Sequence, residues 1–154
     1  MTNRDKSIGY LKSKGIGFEV LEHSKKVYTC SETAIERKVS LDQVVKTLIC
    51  FDKKKNIHVF MVPGSQSLDQ KKARQVISSN KMRFVDRQFL EQEFGLIIGA
   101  ISPLLMIGNG RFWFDQRFTA HQYVTISTGE PGSGLRLKTS DLIELIDCEL
   151  CDIS

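Results

Sequence analysis

The chain has 154 residues, 41% of them hydrophobic and 26% charged, and its 22 basic and 18 acidic side chains leave a formal charge of +4. That length suits one domain with a core of its own, the composition excludes a disordered chain, and the mild basic excess permits a polyanionic partner without requiring one. No window approaches the ~18 apolar residues of a membrane span, and the N-terminus lacks the apolar core of a secretory signal.

A cytosolic protein with no membrane partner is therefore expected, with its four cysteines as thiols. An opening helix is predicted over Asn3 to Lys14, stopped by Gly15, and "GFEVLEH", ending at His23, reads as a strand. Ser31 is read as the cap of a second helix, acidic early and basic late as the helix dipole prefers. Ser40 and Gln43 have the spacing of a capping box for one further turn. Strands at Thr47–Phe51 and Ile57–Val62 flank the polar turn "DKKKN", which predicts an antiparallel hairpin.

A helix over Leu68–Ile77, a strand at Met82–Val85 and a helix over Asp86–Phe94 follow. In "LLMIGNGRFWFD" the pair Asn109-Gly110 is a hairpin-type turn signal between two apolar runs, and "YVTIS" and "LRLK" are strands around a Gly-rich loop. Thr139 is read as the cap of a final helix. The sum is a single α/β domain of the α+β type over residues 1–154, a mixed, largely antiparallel sheet surrounded by helices. Cys148 and Cys151 form a C-x-x-C without a second pair or a histidine at zinc-finger spacing, which reads as a frayed helix end rather than a metal centre.

Lys46 interrupts this pattern. In "DQVVKTLICF" a period of two puts Val44, Lys46, Leu48 and Cys50 on one face and Val45, Thr47, Ile49 and Phe51 on the other, and neither face looks wet. An ammonium there is either held for positioning or chemistry, or it snorkels to water on a long stem. The second unusual stretch is "GLIIGAISPLL", where Gly99 lets backbone approach another group closely. It is either a site whose N–H groups face a ligand oxygen or a corner between strands.

Common catalytic templates are missing: no H-E-x-x-H, G-x-S-x-G or G-x-G-x-x-G occurs. Gly129 and Gly134 have P-loop spacing, but Leu135 and Arg136 stand where the lysine and hydroxyl belong. Of the three histidines, His23 at a strand end is the best placed to border a site, and His58 inside a strand the worst.

The series "VVKTLIC", "VPGSQSLDQKKA", "GLIIGAISP", "FWFDQ" and "ISTGEPGSGLRLKTSDL", in that order over nearly the whole chain, resembles the YbaK/ProX family of aminoacyl-tRNA deacylases, to which the editing insertion of prolyl-tRNA synthetase is related. The resemblance implies hydrolysis, in trans, of the ester between a wrong amino acid and the 3′ end of a tRNA. Lys46 matches the family's functional lysine, which would contact the ester and terminal-adenosine region, and Gly99 and Ala100 match the backbone beside the scissile carbonyl. Water would be the nucleophile, the substrate's ribose 2′-OH would assist, and no metal or cofactor is implied.

Substrate-binding candidates are Tyr28, Thr29 and Cys30, then Thr47, Ser102, Ser127 and Gly129, with Thr47 or Ser127 as the partner of a substrate hydroxyl. The implied partners are mischarged tRNA, at its acceptor end, and an aminoacyl-tRNA synthetase; the oligomeric state is not readable. Against the "GGKRGLD" loop of the cysteinyl branch this chain has "STGEPGSG", with Gly134 at the aspartate. That leaves the substrate open within the alanine, serine, threonine and cysteine class, where a methyl or hydroxyl is worth only about 1–3 kcal/mol to a synthetase and errors leak through. Two other classes fit the same residues, an inactive tRNA- or synthetase-binding module and a small-molecule binder.

Overall fold

In the computed structural model, which describes residues 1–154, the first helix begins at a capping box. The Thr2 hydroxyl accepts from the N–H of Asp5 at 3.1 Å, and the Asp5 carboxylate accepts from the N–H of Thr2 at 3.2 Å. This helix is α1 (Asn3–Ser13), followed by β1 (Glu19–Glu22), α2 (Cys30–Arg37), β2 (Val45–Asp52), β3 (Ile57–Pro63), α3 (Gln70–Val76) and β4 (Met82–Phe84). Then come α4 (Arg87–Phe94), β5 (Arg111–Asp115), β6 (Tyr123–Ser127), β7 (Ser133–Lys138), α5 (Thr139–Ile146) and β8 (Glu149–Cys151).

The strands form two sheets. One is antiparallel, in the order β1-β7-β6; the other is mixed, in the order β4-β2-β3-β5-β8, and a single parallel bridge from Val44 to Thr125 links them. The expected hairpin across "DKKKN" is present, with Val45 opposite Pro63 and Phe51 opposite Ile57. The turn at Asn109-Gly110 does not make a second hairpin: β5 enters parallel to β3, and β8 adds parallel to β5. The apolar run before that turn is not a strand, because Pro103 opens a 3-10 turn, Pro103–Met106, that buries Leu104 and Met106.

Both faces of the mixed sheet are buried, which explains the absence of a polar face around Lys46. Alternate residues Val59 and Met61 of β3, with Phe112 and Phe114 of β5, enter the main core against Ile126, Leu135 and Leu137 of the other sheet. Their neighbours Phe60, Val62 and Trp113 form a smaller core with Ala73 and Ile77 at α3. His58 sits there as a structural residue: the Trp113 indole N–H donates to its Nδ1 at 3.0 Å, so Nε2 carries the proton and donates to Asp52 at 2.9 Å.

Asp52 also accepts from the N–H groups of Lys54 and Asn56, closing the β2–β3 turn. Desolvation opposes ionisation, but the bonds from His58, Asn56 and Lys54 win and hold the carboxyl down at about 2, against an ordinary 3.8. The stability it contributes is complete above pH 3.8 and is lost as pH falls towards 2. The melting-temperature gap between wild type and Asp52→Asn is therefore expected to be widest near pH 5 and to shrink by pH 2. A gap that does not change with pH would show that the carboxylate is not held this way.

Two caps and one helix end differ from the sequence reading. Thr29, not Ser31, starts α2, because its extended backbone lets its hydroxyl accept from the N–H of Glu32 at 3.2 Å. Thr139 lies inside α5 and its hydroxyl donates to the carbonyl of His121 at 2.7 Å, while Lys138 occupies the cap position. The Cys148–Cys151 pair is not a helix end: Cys151 belongs to β8, and burial pushes the two thiols up to about 12 and about 11. No helix is long and apolar enough to cross a membrane.

Candidate active site

The antiparallel ladder leaves one stretch of sheet edge uncovered. Val44 accepts from Gly64 on the β3 side, so the alternation of backbone groups turns those of Val45, Thr47 and Ile49 to the opposite edge. Along that edge Val44 is bridged to Thr125 and Ile49 accepts from Val85, while β4 pairs only with Cys50 to Asp52. No strand covers the edge at Thr47. A cavity of about 320 Å³, largely apolar, fills the space beside it.

Seven of the residues singled out from sequence line this one cavity: Tyr28, Thr29, Cys30, Lys46, Thr47, Gly99 and Ser127. Lys46 is half-buried and its ammonium donates to the Gln66 carbonyl at 2.5 Å, with no carboxylate in ion-pair range. A backbone carbonyl of the β3–α3 loop thus holds its head at the cavity. Thr47 is 9% exposed, and its hydroxyl is the only buried side-chain nitrogen or oxygen that lacks a hydrogen-bond partner. The Ser127 oxygen accepts from the N–H of Gly129 at 2.9 Å, which leaves its own proton to donate. Thr29 is engaged in its cap, and burial pushes the Cys30 thiol up in spite of nearby Lys46 and Arg37.

Three candidates lie elsewhere. Ala100 is buried off the cavity and its N–H closes a turn onto the Ile97 carbonyl at 2.9 Å, so it is not an available oxyanion donor. The N–H of Gly99, which faces the cavity, has no protein acceptor. Ser102 is fully buried and its hydroxyl bonds that of Ser7 at 3.0 Å, while the Ser7 hydroxyl donates to the Thr128 carbonyl at 2.8 Å, which ties α1 to the Gly-rich loop. Gly129 packs against α1, where a Cβ would meet that of Asn3 at 2.6 Å. His23 borders no cavity wall; its Nδ1 bonds the Pro131 carbonyl at 2.9 Å and its Nε2 accepts from Arg37 at 3.2 Å.

Sequence reading missed Arg37, Arg87 and Phe84, all of which line the cavity. Arg87 pairs with Glu91 at 3.5 Å on the surface of α4. Arg37 is 8% exposed, and burial pushes its guanidinium down to about 10, still cationic at neutral pH. No Asp, Glu or His side chain lines the cavity, so its walls offer cations, hydroxyls, a thiol that burial keeps neutral and backbone N–H groups, but no carboxylate or imidazole to act as a general base. Nowhere in the chain do three or more His, Cys, Asp or Glu side chains converge as metal ligands would.

The sequence profile of the aminoacyl-tRNA editing domain matches residues 24–145. The chain belongs to this family. Among relatives of this editing domain is EbsC of Enterococcus faecalis, provisionally named a Cys-tRNA(Pro)/Cys-tRNA(Cys) deacylase, 24% identical over 112 residues that cover 73% of this chain and 68% of that one. A second is the prolyl-tRNA editing protein ProX of Acetoanaerobium sticklandii, 25% identical over 144 residues, 90% of this chain and 87% of that one. The fold also matches a crystal structure provisionally described as a trans-editing enzyme for prolyl-tRNA synthetase, with a TM-score of 0.88 at 22% identity over 100% of this chain and 98% of that one. The α+β architecture expected from sequence is therefore that of the editing domain, and the matched span includes both Lys46 and Gly99.

Proposed function

We propose that this editing domain, formed by the whole chain, is a deacylase that hydrolyses in trans the ester between a small amino acid and the 3′ end of a mischarged tRNA. The observation that carries the reading is the cavity itself. It brings Lys46, the free N–H of Gly99 and the unpartnered Thr47 hydroxyl to one place, and no carboxylate or imidazole accompanies them.

The chemistry follows from that inventory. Water attacks the ester carbonyl carbon, and the oxyanion that develops is met by the Gly99 N–H and the Lys46 ammonium. The C–O3′ bond then breaks, one proton of the attacking water goes to the ribose 3′-oxygen and the other to solvent, and the amino acid leaves as its carboxylate. With no carboxylate or imidazole in the walls, the group that orients the water is assigned to the substrate, whose 2′-OH adjoins the reacting ester. The acceptor end of tRNA is thus a reactant in its own hydrolysis. A synthetase is the source of the mischarged tRNA.

Single-turnover deacylation of one tRNA charged in turn with alanine, serine, threonine, cysteine and proline tests this reading. Hydrolysis of at least one small-side-chain ester well above the uncatalysed rate is expected, and failure on all of them would overturn it. In the same panel Thr47→Val is expected to slow hydroxyl-bearing esters by about tenfold while sparing the alanyl ester, because a lost hydrogen bond to a buried partner costs about 1–1.5 kcal/mol. Equal effects on both would remove Thr47 from selectivity.

A further inference from the structure

Arg37 is a buried cation whose charge the protein does not answer. Its Nε donates to His23 at 3.2 Å and its Nη1 to the Thr125 hydroxyl at 3.0 Å, both neutral acceptors, and no carboxylate lies within 4.0 Å. Cys30, which also lines the cavity and could become an anion, is kept a neutral thiol by burial. A guanidinium carries five N–H donors, and those of Nη2 find no acceptor in the protein.

The pocket around it is shaped for a guanidinium. A Cβ on Gly134 of β7 would lie 2.3 Å from Arg37 Nε, 2.5 Å from Cζ and 2.9 Å from Nη2, so only glycine leaves room for the group. Taking such a charge out of water costs several kcal/mol unless its donors are met. A purely structural tie between α2 and the β1-β7-β6 sheet would not need a cation left facing a cavity. The same cavity contains the other unanswered polar group, the Thr47 hydroxyl.

We propose that Arg37 determines specificity by donating from Nη2 to an oxygen on the side chain of the aminoacyl group, so that esters of hydroxyl- or carboxylate-bearing amino acids are preferred over alanyl and cysteinyl esters. This deepens the deacylase reading and rests on it. The protein's own acceptors at Nε and Nη1 fix the plane of the guanidinium, which gives the remaining donors a set direction. An alanyl or cysteinyl side chain offers those donors no oxygen.

The test uses the full chain and one tRNA charged with alanine, cysteine, serine or aspartate, with wild type, Arg37→Met and Gly134→Ala. Wild type is expected to hydrolyse the seryl or the aspartyl ester about ten- to a hundredfold faster than the alanyl, the span that one charge-assisted hydrogen bond supports. A seryl preference identifies a hydroxyl as the acceptor, and an aspartyl preference a carboxylate. Arg37→Met should remove that ratio by lowering the seryl or aspartyl rate far more than the alanyl. Gly134→Ala, which keeps the arginine but pushes its guanidinium aside, should lower the same ratio and so covers a methionine variant that fails to fold. Equal wild-type rates on alanyl and oxygen-bearing esters, or variants that slow all esters alike, would overturn the proposal. If no ester is hydrolysed the deacylase reading fails, and binding of non-hydrolysable 3′-amide analogues of serine, aspartate and alanine to wild type then decides the Arg37 assignment alone.

Discussion

Lys46→Ala is expected to lower single-turnover deacylation by about two to three orders of magnitude, the loss that follows removal of one strong oxyanion donor. The ammonium is bound only to the Gln66 carbonyl, which positions it without neutralising it, so its full charge is available to the reacting ester. Because Lys46 is half-buried and pairs with no acidic group, folding stability should change by no more than about 0.5 kcal/mol. Lys46→Met keeps the stem along the cavity wall and should be as inactive as alanine, which separates charge from packing. Lys46→Arg should not restore the rate, since a planar guanidinium presents its donors in another geometry than a compact ammonium. A covalent imine is not expected, because the carbonyl under attack is an ester. Single-turnover rates beside thermal melts decide the matter: wild-type turnover in the alanine or methionine variant would return Lys46 to a snorkelling surface role.

The parts of the architecture set by local chemistry were legible in the sequence. The polar turn between β2 and β3, the opening helix that ends before Gly15 and the Gly-rich connection between β6 and β7 each follow from residues adjacent in the chain. The parallel pairing of β3, β5 and β8 was not, because strands buried on both faces lose the alternation that would reveal a register, and their partners are distant in sequence. The cap of α2 was ambiguous for a local reason: "YTCSET" offers Thr29 and Ser31 two positions apart, and backbone geometry chooses between them.

The site shows the same division. Lys46 and Thr47 stand out because polar groups interrupt an apolar strand, and both line the cavity. Arg37 gave no signal, since a basic residue in the last turn of a helix is what the dipole favours, and only the approach of β7 through Gly134 buries it. The backbone N–H groups of "GAISP" could be located but not told apart by sequence. The turn at Ile97 takes up the N–H of Ala100 and leaves that of Gly99 free.

Gly99→Ala should be the most damaging single-methyl change at the site. Gly99 has φ +89, a conformation that costs an L-residue about 1–2 kcal/mol, and an added Cβ would lie 3.2 Å from the Tyr28 carbonyl oxygen and 3.3 Å from its ring. Relief requires the turn to rotate or Tyr28 to move, and either shifts the free N–H of Gly99 at the cavity. A displacement of about 1 Å in a positioning group is enough for a hundredfold loss, so kcat is expected to fall by about that factor with a smaller change in KM. Destabilisation of about 1–2 kcal/mol should accompany it. Gly9→Ala is the matched control: Gly9 lies in α1 with nothing within 4 Å of its added Cβ, and alanine there should leave turnover unchanged and raise stability by about 0.5–1 kcal/mol. Adding Tyr28→Ala to Gly99→Ala removes the contact with the ring but neither the backbone strain nor the contact with the carbonyl, so partial recovery of stability without recovery of kcat is expected. Full activity in Gly99→Ala would show that its N–H does not meet the oxyanion.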